Sequence, residues 1–280
     1  MIKAVVFDLQ KIKLSEESSF LKNAKEAGLK IAKIEKEEAL FKARPNPELY
    51  QHAFLNLGAS SDETVIISDS SLAQRTARNA KCISIGLRNC PKFDSCAKDS
   101  CDKKPCDKQL KYILNGADLF LDHLEDFPAF STLGEFNTVL DQEIKAFYKR
   151  TIIGTLIETA VKTREHAYAP YSNFKVGAGL LTENGKVYGG CNVENASFGA
   201  TICAERGASM AAFAAEGKSE FQMIAIASSA EDPAPPCAIC RQFLSEFMPP
   251  YGQVFLYSVT SKVLKHYSFE VLLPCTFTEF

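Results

Sequence analysis

Three cysteines and one carboxylate have the types and spacing of a site that does chemistry. Cys203 stands two residues before Glu205, and further along the chain Pro236-Cys237-Ala238-Ile239-Cys240 supplies a Cys-x-x-Cys pair. Together they offer three thiolates to one divalent ion and leave a fourth position for water. That is the ligand count of a catalytic zinc, whereas a structural zinc is usually closed by four protein ligands. Zinc lowers the pKa of bound water towards neutrality, and a carboxylate outside the ligand set can take the water's proton and deliver it to a leaving amine. Glu205 is the candidate for that shuttle. A second arrangement stays open, because Cys-x-x-Cys also occurs in zinc ribbons and redox pairs, and Cys191 could complete a closed four-cysteine site.

Three thiolates leave a zinc site net negative, which weakens the metal as a Lewis acid. Arg206 and Arg241 each directly follow a site residue, and an arginine donating to a thiolate sulfur withdraws charge from the metal. Thr201 before an Ala-rich run and Pro236 before Cys237 read as helix openings, where the helix dipole favours a thiolate. The elements that must carry these residues are helices at 203–217 and 237–247 over strands at 174–181, 186–188, 221–228 and 253–259, with one long amphipathic helix expected over 141–166. Cys82, Cys191 and Cys275 read as buried and unreactive.

The residues of this half closely resemble the cytidine deaminase family in its short-chain, three-cysteine zinc form. The resemblance runs from about residue 141 to 280 through Tyr171-Ser-Asn-Phe174-Lys-Val-Gly177, Cys191-Asn192-Val-Glu194-Asn195, Cys203-Ala-Glu205-Arg206, Pro236-Cys237-Ala-Ile-Cys240-Arg241-Gln242 and Leu273-Pro274-x-x-Phe277. It implies a five-stranded mixed sheet with the zinc held by two helix starts, and hydrolysis of cytidine to uridine, and of deoxycytidine to its deoxy counterpart, with release of ammonia in pyrimidine salvage. By the same resemblance Asn192 and Glu194 bond the ribose, Phe174 lines the base pocket, the segment around Ala204 orients the base, and Phe277 closes over a pyrimidine. A homotetramer or dimer is implied as well.

Composition sets the outer limits. The 280 residues predict about two domains, placed at 1–138 and 139–280, and 46% hydrophobic with 24% charged residues describe an ordinary globular chain. A net charge of −2 gives no basic field for a polyanion, so deamination of bases in nucleic acid is the weaker alternative. A signal-peptide layout and an apolar run long enough to span a membrane are both missing, and the expectation is a cytoplasmic protein with neither membrane nor nucleic-acid partner.

The first half alternates strand and helix, with β-type runs at 5–8, 29–34, 64–67, 82–87 and 117–121 and helical periodicity at 17–28, 46–57 and 71–80, which implies a parallel three-layer α/β domain. Phe7-Asp8-Leu9, Arg44-Pro45-Asn46-Pro47 and Ile67-Ser68-Asp69-Ser70 resemble the haloacid dehalogenase superfamily of phosphatases, without room for a large cap. The resemblance places the nucleophile at Asp8, the basic residue at Arg44 and a magnesium carboxylate at Asp69. Gln10 stands where that family has its acid/base aspartate and cannot take over that role. A degenerate scaffold is the expectation; a nucleotide phosphatase using Mg²⁺ beside the deaminase, and a non-catalytic zinc-stabilised binding protein, are the alternatives. A polar insert at 88–112 carries Cys90, Cys96, Cys101 and Cys106. Its few apolar side chains cannot form a core, so it is expected either to be a disordered loop or to close a structural zinc site.

Overall fold

The computed structural model describes residues 1–10, 12–34, 46–88 and 107–278. Arg44 and the cysteines Cys90, Cys96, Cys101 and Cys106 lie outside the described residues. The chain forms two compact units, Met1–Tyr148 and Lys149–Phe280.

In the first unit, strands β1 (Ala4–Asp8), β2 (Lys30–Lys33), β3 (Thr64–Ser68), β4 (Ile83–Leu87) and β5 (Leu119–Leu121) form one parallel sheet in the order β2-β1-β3-β4-β5. Every residue of β1 and β3 is buried, as expected of parallel strands covered on both faces. Neighbouring strand residues point to opposite faces. Val6 packs with Leu49, Tyr50 and Phe54 of α2 (Glu48–Leu57), while the Phe7 ring meets Phe20 of α1 (Ser19–Glu26) at 6.2 Å. The two helices therefore lie on opposite sides of the sheet, and the expected three layers are present. Helices α3 (Ser71–Asn79) and α4 (Asp107–Leu114) complete the unit. The end of the polar insert is thus helix rather than loop. Tyr112 anchors it, stacking edge-on against Phe120 at 5.0 Å and donating its hydroxyl to the Asp69 carbonyl at 2.6 Å.

The boundary read at 138 falls inside α5 (Leu133–Lys149), and the units divide at Tyr148 instead. The reason is packing. Phe136 joins Phe20, Phe127 and Phe130 in a ring cluster, and Tyr148 donates to Asp118 Oδ1 at 2.5 Å beside the buried Arg78–Asp118 ion pair. These contacts hold the helix in the first unit as far as Tyr148. The single helix expected over 141–166 is two, because Thr151 takes an extended conformation (φ −114°, ψ 178°) and opens α6 (Ile152–Arg164).

In the second unit, β6 (Val176–Thr182), β7 (Val187–Cys191), β8 (Phe221–Ser228), β9 (Gln253–Ser258) and β10 (Leu264–Ser268) form a sheet in the order β10-β9-β8-β6-β7. Only β8 and β9 run parallel, so this five-stranded sheet is mixed, as expected. Strand β10 was not read from the sequence, because Leu264-Lys-His-Tyr-Ser is a half-buried edge without apolar alternation. Adjacent glycines show how the sheet is covered. A Cβ on Gly189 would run into Thr163 of α6, and one on Gly190 would overlap Ala208 N and Ala204 O of α7 (Ala204–Glu216). Hence α6 and α7 cover opposite faces, and α7 sits flush on β7. Buried Ala204, Ala208 and Ala212 continue that close approach. Helices α8 (Ala238–Ser245) and α9 (Phe269–Leu272) follow. Of the three cysteines expected to be buried, Cys82 is, Cys191 is half-buried, and Cys275 is exposed on the tail after α9. Among the described residues no helix is long and apolar enough to cross a membrane.

Replacing Gly190 by Ala forces α7 away from β7. The expected cost is about 1–3 kcal/mol, read as a lowered urea midpoint, together with reduced bound zinc per chain because α7 carries Cys203.

Candidate metal centre

Cys203 and Cys237 occupy equivalent places, each being the residue where extended backbone turns into helix. Cys203 (φ −73°, ψ 158°) precedes α7, and Cys237 (φ −66°, ψ 165°) precedes α8, its sulfur accepting from Cys240 N at 3.5 Å. The helix opening read at Thr201 lies slightly upstream of the true one, since Thr201 ends the short turn Phe198–Ala200. Placing the cysteines themselves at the caps brings the positive end of each helix dipole near sulfur, and at Cys237, though not at Cys203, a first-turn N–H bonds the sulfur itself.

Cys240, one turn into α8, is fully buried, Cys203 half-buried and Cys237 exposed. The three Sγ atoms all lie within 4.8 Å of one another, and Cys203 and Cys237 are 3.8 Å apart. Three sulfurs bound at about 2.3 Å to a tetrahedral zinc stand about 3.8 Å from each other, so the cluster fits zinc in size as well as in donor chemistry. Among the described residues no other group of three or more His, Cys, Asp or Glu side chains comes this close together.

The two arginines divide the work. Arg206 Nη2 donates to Thr201 O at 2.9 Å and reaches Cys203 Sγ at 3.8 Å, as expected of an arginine that offsets thiolate charge. Arg241 departs from that expectation. Its Nε donates to Pro236 O at 2.7 Å and its Nη1 to Leu272 O at 3.0 Å. It therefore ties the approach to Cys237 to the end of α9, because its side chain runs back over carbonyls and not over sulfur.

Glu205, the second residue of α7, is 4% exposed. Burial pushes its carboxyl up to about 7, and the negative charge on Cys203 adds to the rise, while the Cys240 thiol bonds the carboxylate and opposes it. The Cys203 thiol is drawn down to about 5 by a hydrogen bond from Cys240 and by Arg206, and the Cys240 thiol is raised because it supplies that bond. A carboxyl balanced near neutrality beside three sulfurs can both accept and return a proton.

Residues 151–256 match the family model for the cytidine and deoxycytidylate deaminase zinc-binding region. A cytidine deaminase of Halalkalibacterium halodurans is 42% identical over 123 residues, which cover 44% of this chain and 92% of that protein. The chain belongs to the cytidine deaminase family. Another relative, a cytidine deaminase of Sporosarcina psychrophila, is 40% identical over 124 residues, 44% of this chain and 90% of that protein. A crystal structure of cytidine deaminase from Burkholderia pseudomallei aligns over 44% of this chain and 98% of its own, with 46% identity and a TM-score of 0.41.

Of the other positions suggested by the cytidine deaminase resemblance, Asn192 and Phe174 meet at the start of β6, and Glu194 bonds the loop that leads into it. Asn192 Oδ1 accepts from Val176 N at 2.8 Å, and its Nδ2 donates to Phe174 O at 2.9 Å. Glu194 accepts from Tyr171 N at 2.8 Å and from the amide and hydroxyl of Ser172, and these bonds, the hydroxyl first, hold its carboxyl below the usual range. Val193 between them exchanges backbone bonds with Ile202 at 2.9 and 3.0 Å, which sets this group beside Cys203. Ala204 is fully buried at the first position of α7, Phe174 is 36% exposed, and Phe277 is 62% exposed with its carbonyl accepting from Gln242 Nε2 at 2.7 Å. Ser172 and Gln242 were not singled out from the sequence. Both stand inside the segments that carry the resemblance, which was the signal available for finding them.

Replacing Arg206 by Gln should weaken zinc affinity by about 10–100-fold in competition with a chromophoric chelator. Arg241→Gln, which touches no described thiolate, should weaken it far less.

Proposed function

We infer that the second unit hydrolyses the amino group of cytidine and deoxycytidine, giving uridine or deoxyuridine and ammonia. The observation that carries this is the convergence of Cys203, Cys237 and Cys240 beside a buried, non-ligand Glu205, in a chain of the cytidine deaminase family. The three sulfurs would hold zinc, which when bound supplies Lewis acidity and an activated water. Glu205 accepts a proton from the attacking water and gives it to the pyrimidine ring, then takes a second proton from the hydroxyl now bonded to the ring carbon and gives it to the departing amine, so it ends the cycle as it began. Its burial keeps bulk water from competing for that proton.

Asn192 and Glu194 are proposed to bond the ribose hydroxyls. Each retains capacity after its described bonds, Asn192 through its second amide hydrogen and Glu194 through free lone pairs. They hold the β6 entrance in place at the same time, so substrate would meet them already oriented. Phe174 and Phe277 are proposed to cover the base, and both present aromatic surface to solvent. The exposed Phe277, with Phe198 75% and Tyr171 50% exposed, also supports assembly as a homotetramer or dimer in which a partner covers these rings.

For the first unit we propose a retained scaffold of haloacid dehalogenase type. Asp8 ends β1 and Asp69 directly follows β3, at the carboxyl edge of a parallel sheet where such folds place their ligands. Yet the Tyr50 hydroxyl donates to the Asp8 carboxylate, and the Asp69 oxygens accept from Gln10 N at 2.8 Å and Ile12 N at 2.7 Å. Both acids are engaged in holding the fold, which favours the scaffold over a Mg²⁺-dependent phosphatase.

With zinc content matched, Glu205→Ala should cut ammonia release from cytidine by about 10²- to 10⁴-fold. Equal release by parent and variant would sink the role given to Glu205. Separately, p-nitrophenyl phosphate with Mg²⁺ should yield no phosphate above background, measured colorimetrically; a rate that vanishes in Asp8→Asn would restore the phosphatase.

A further inference from the structure

The first unit holds a cavity of about 380 Å³ outside the carboxyl ends of β1, β4 and β5, within the roughly 300–1,000 Å³ range of small-molecule sites. Neither Asp8 nor Asp69 lines it. Its floor is aliphatic, made by Leu9, Ile12, Leu14, Leu87 and Leu124. The loop that closes one side is fixed from below, since Asp69 accepts both Gln10 N and Ile12 N.

The charges of the lining decide what it can hold. Arg88 and Asp122 line it as an ion pair and cancel each other. Lys13, on the loop after β1, and Glu125, in the short turn after β5, also line it, and neither makes a hydrogen bond or ion pair with any described residue. Among the described residues of the lining the four formal charges sum to zero, so these offer no net field to a dianion, and a phosphate would stand near two carboxylates. Among the described residues there remain, beside Ser15 and His123, one unpaired cation, one unpaired anion and an aliphatic floor. We propose that this cavity binds a small zwitterion with an apolar body, of the class of a free aliphatic or aromatic amino acid. Its carboxylate meets Lys13, its ammonium meets Glu125, and its side chain lies on the leucine floor.

Isothermal titration of the full chain with L-leucine and L-phenylalanine tests this, with N-acetyl-leucine, leucinamide and uridine monophosphate as comparisons. At least one of the two amino acids should bind. Removing either ligand charge, or making Lys13→Ala or Glu125→Ala, should weaken binding about tenfold or more. Leu14→Trp, which fills the cavity from a partly exposed loop, should abolish it while leaving the unliganded melting temperature in place. Three results would each overturn the proposal: no heat from either amino acid, binding indifferent to all three substitutions, or tighter binding of the nucleotide than of both amino acids.

Discussion

Bringing three cysteine sulfurs within 4.8 Å of one another is the constraint on which the second unit depends. Three thiolates at that separation repel, and the protein offsets the repulsion before any metal arrives. Two helix N-termini point at Cys203 and Cys237, Arg206 lies along one sulfur, and the proton shared by Cys203 and Cys240 relieves the rest. The helix termini and Arg206 would also keep a bound zinc electrophilic, because each draws electron density away from sulfur, whereas the Cys240 proton would leave as its thiolate took the metal. Much of the remaining architecture serves to bring α7 and α8 to this meeting point. Gly190 and the alanines of α7 let that helix lie flush on the sheet, so that its first residue enters the core while its cap faces the metal position.

Burial is used twice at the site, with opposite aims. Glu205 is buried so that its carboxyl titrates near neutrality, which suits a group that must give back what it takes. Glu194 is instead surrounded by donors from Tyr171 and Ser172 that keep it ionised, which suits a group that accepts hydrogen bonds and moves no proton. Two glutamates eleven positions apart in sequence thus receive different chemistry from their surroundings alone.

That three cysteines meet near a buried carboxylate was legible in the sequence because such patterns allow few alternatives: Cys-x-x-Cys after proline and Cys-x-Glu before an Ala-rich helix leave little freedom. The parallel sheet of the first unit was legible too, from the apolar runs of β1 and β3 and the alternation of strand and helix, whereas the mixed five-stranded sheet of the second was implied by the family resemblance. What escaped depended on tertiary packing. The division at Tyr148 follows from Phe136 joining an aromatic cluster and Tyr148 reaching Asp118, contacts between residues far apart in the chain. The course of Arg241 could not be read because it answers to carbonyls of Pro236 and Leu272, and backbone carbonyls have no sequence signature. Strand β10 pairs with β9 despite a polar composition, since an edge strand needs only backbone partners.

The hydrogen bonds from Arg241 to Leu272 and from Gln242 to Phe277 make the last residues an extension of the metal-binding helix. A substitution that displaces the stretch from Leu272 to Phe277 would therefore act on residues fastened one and two positions beyond Cys240, and so reach the sulfur cluster without touching it.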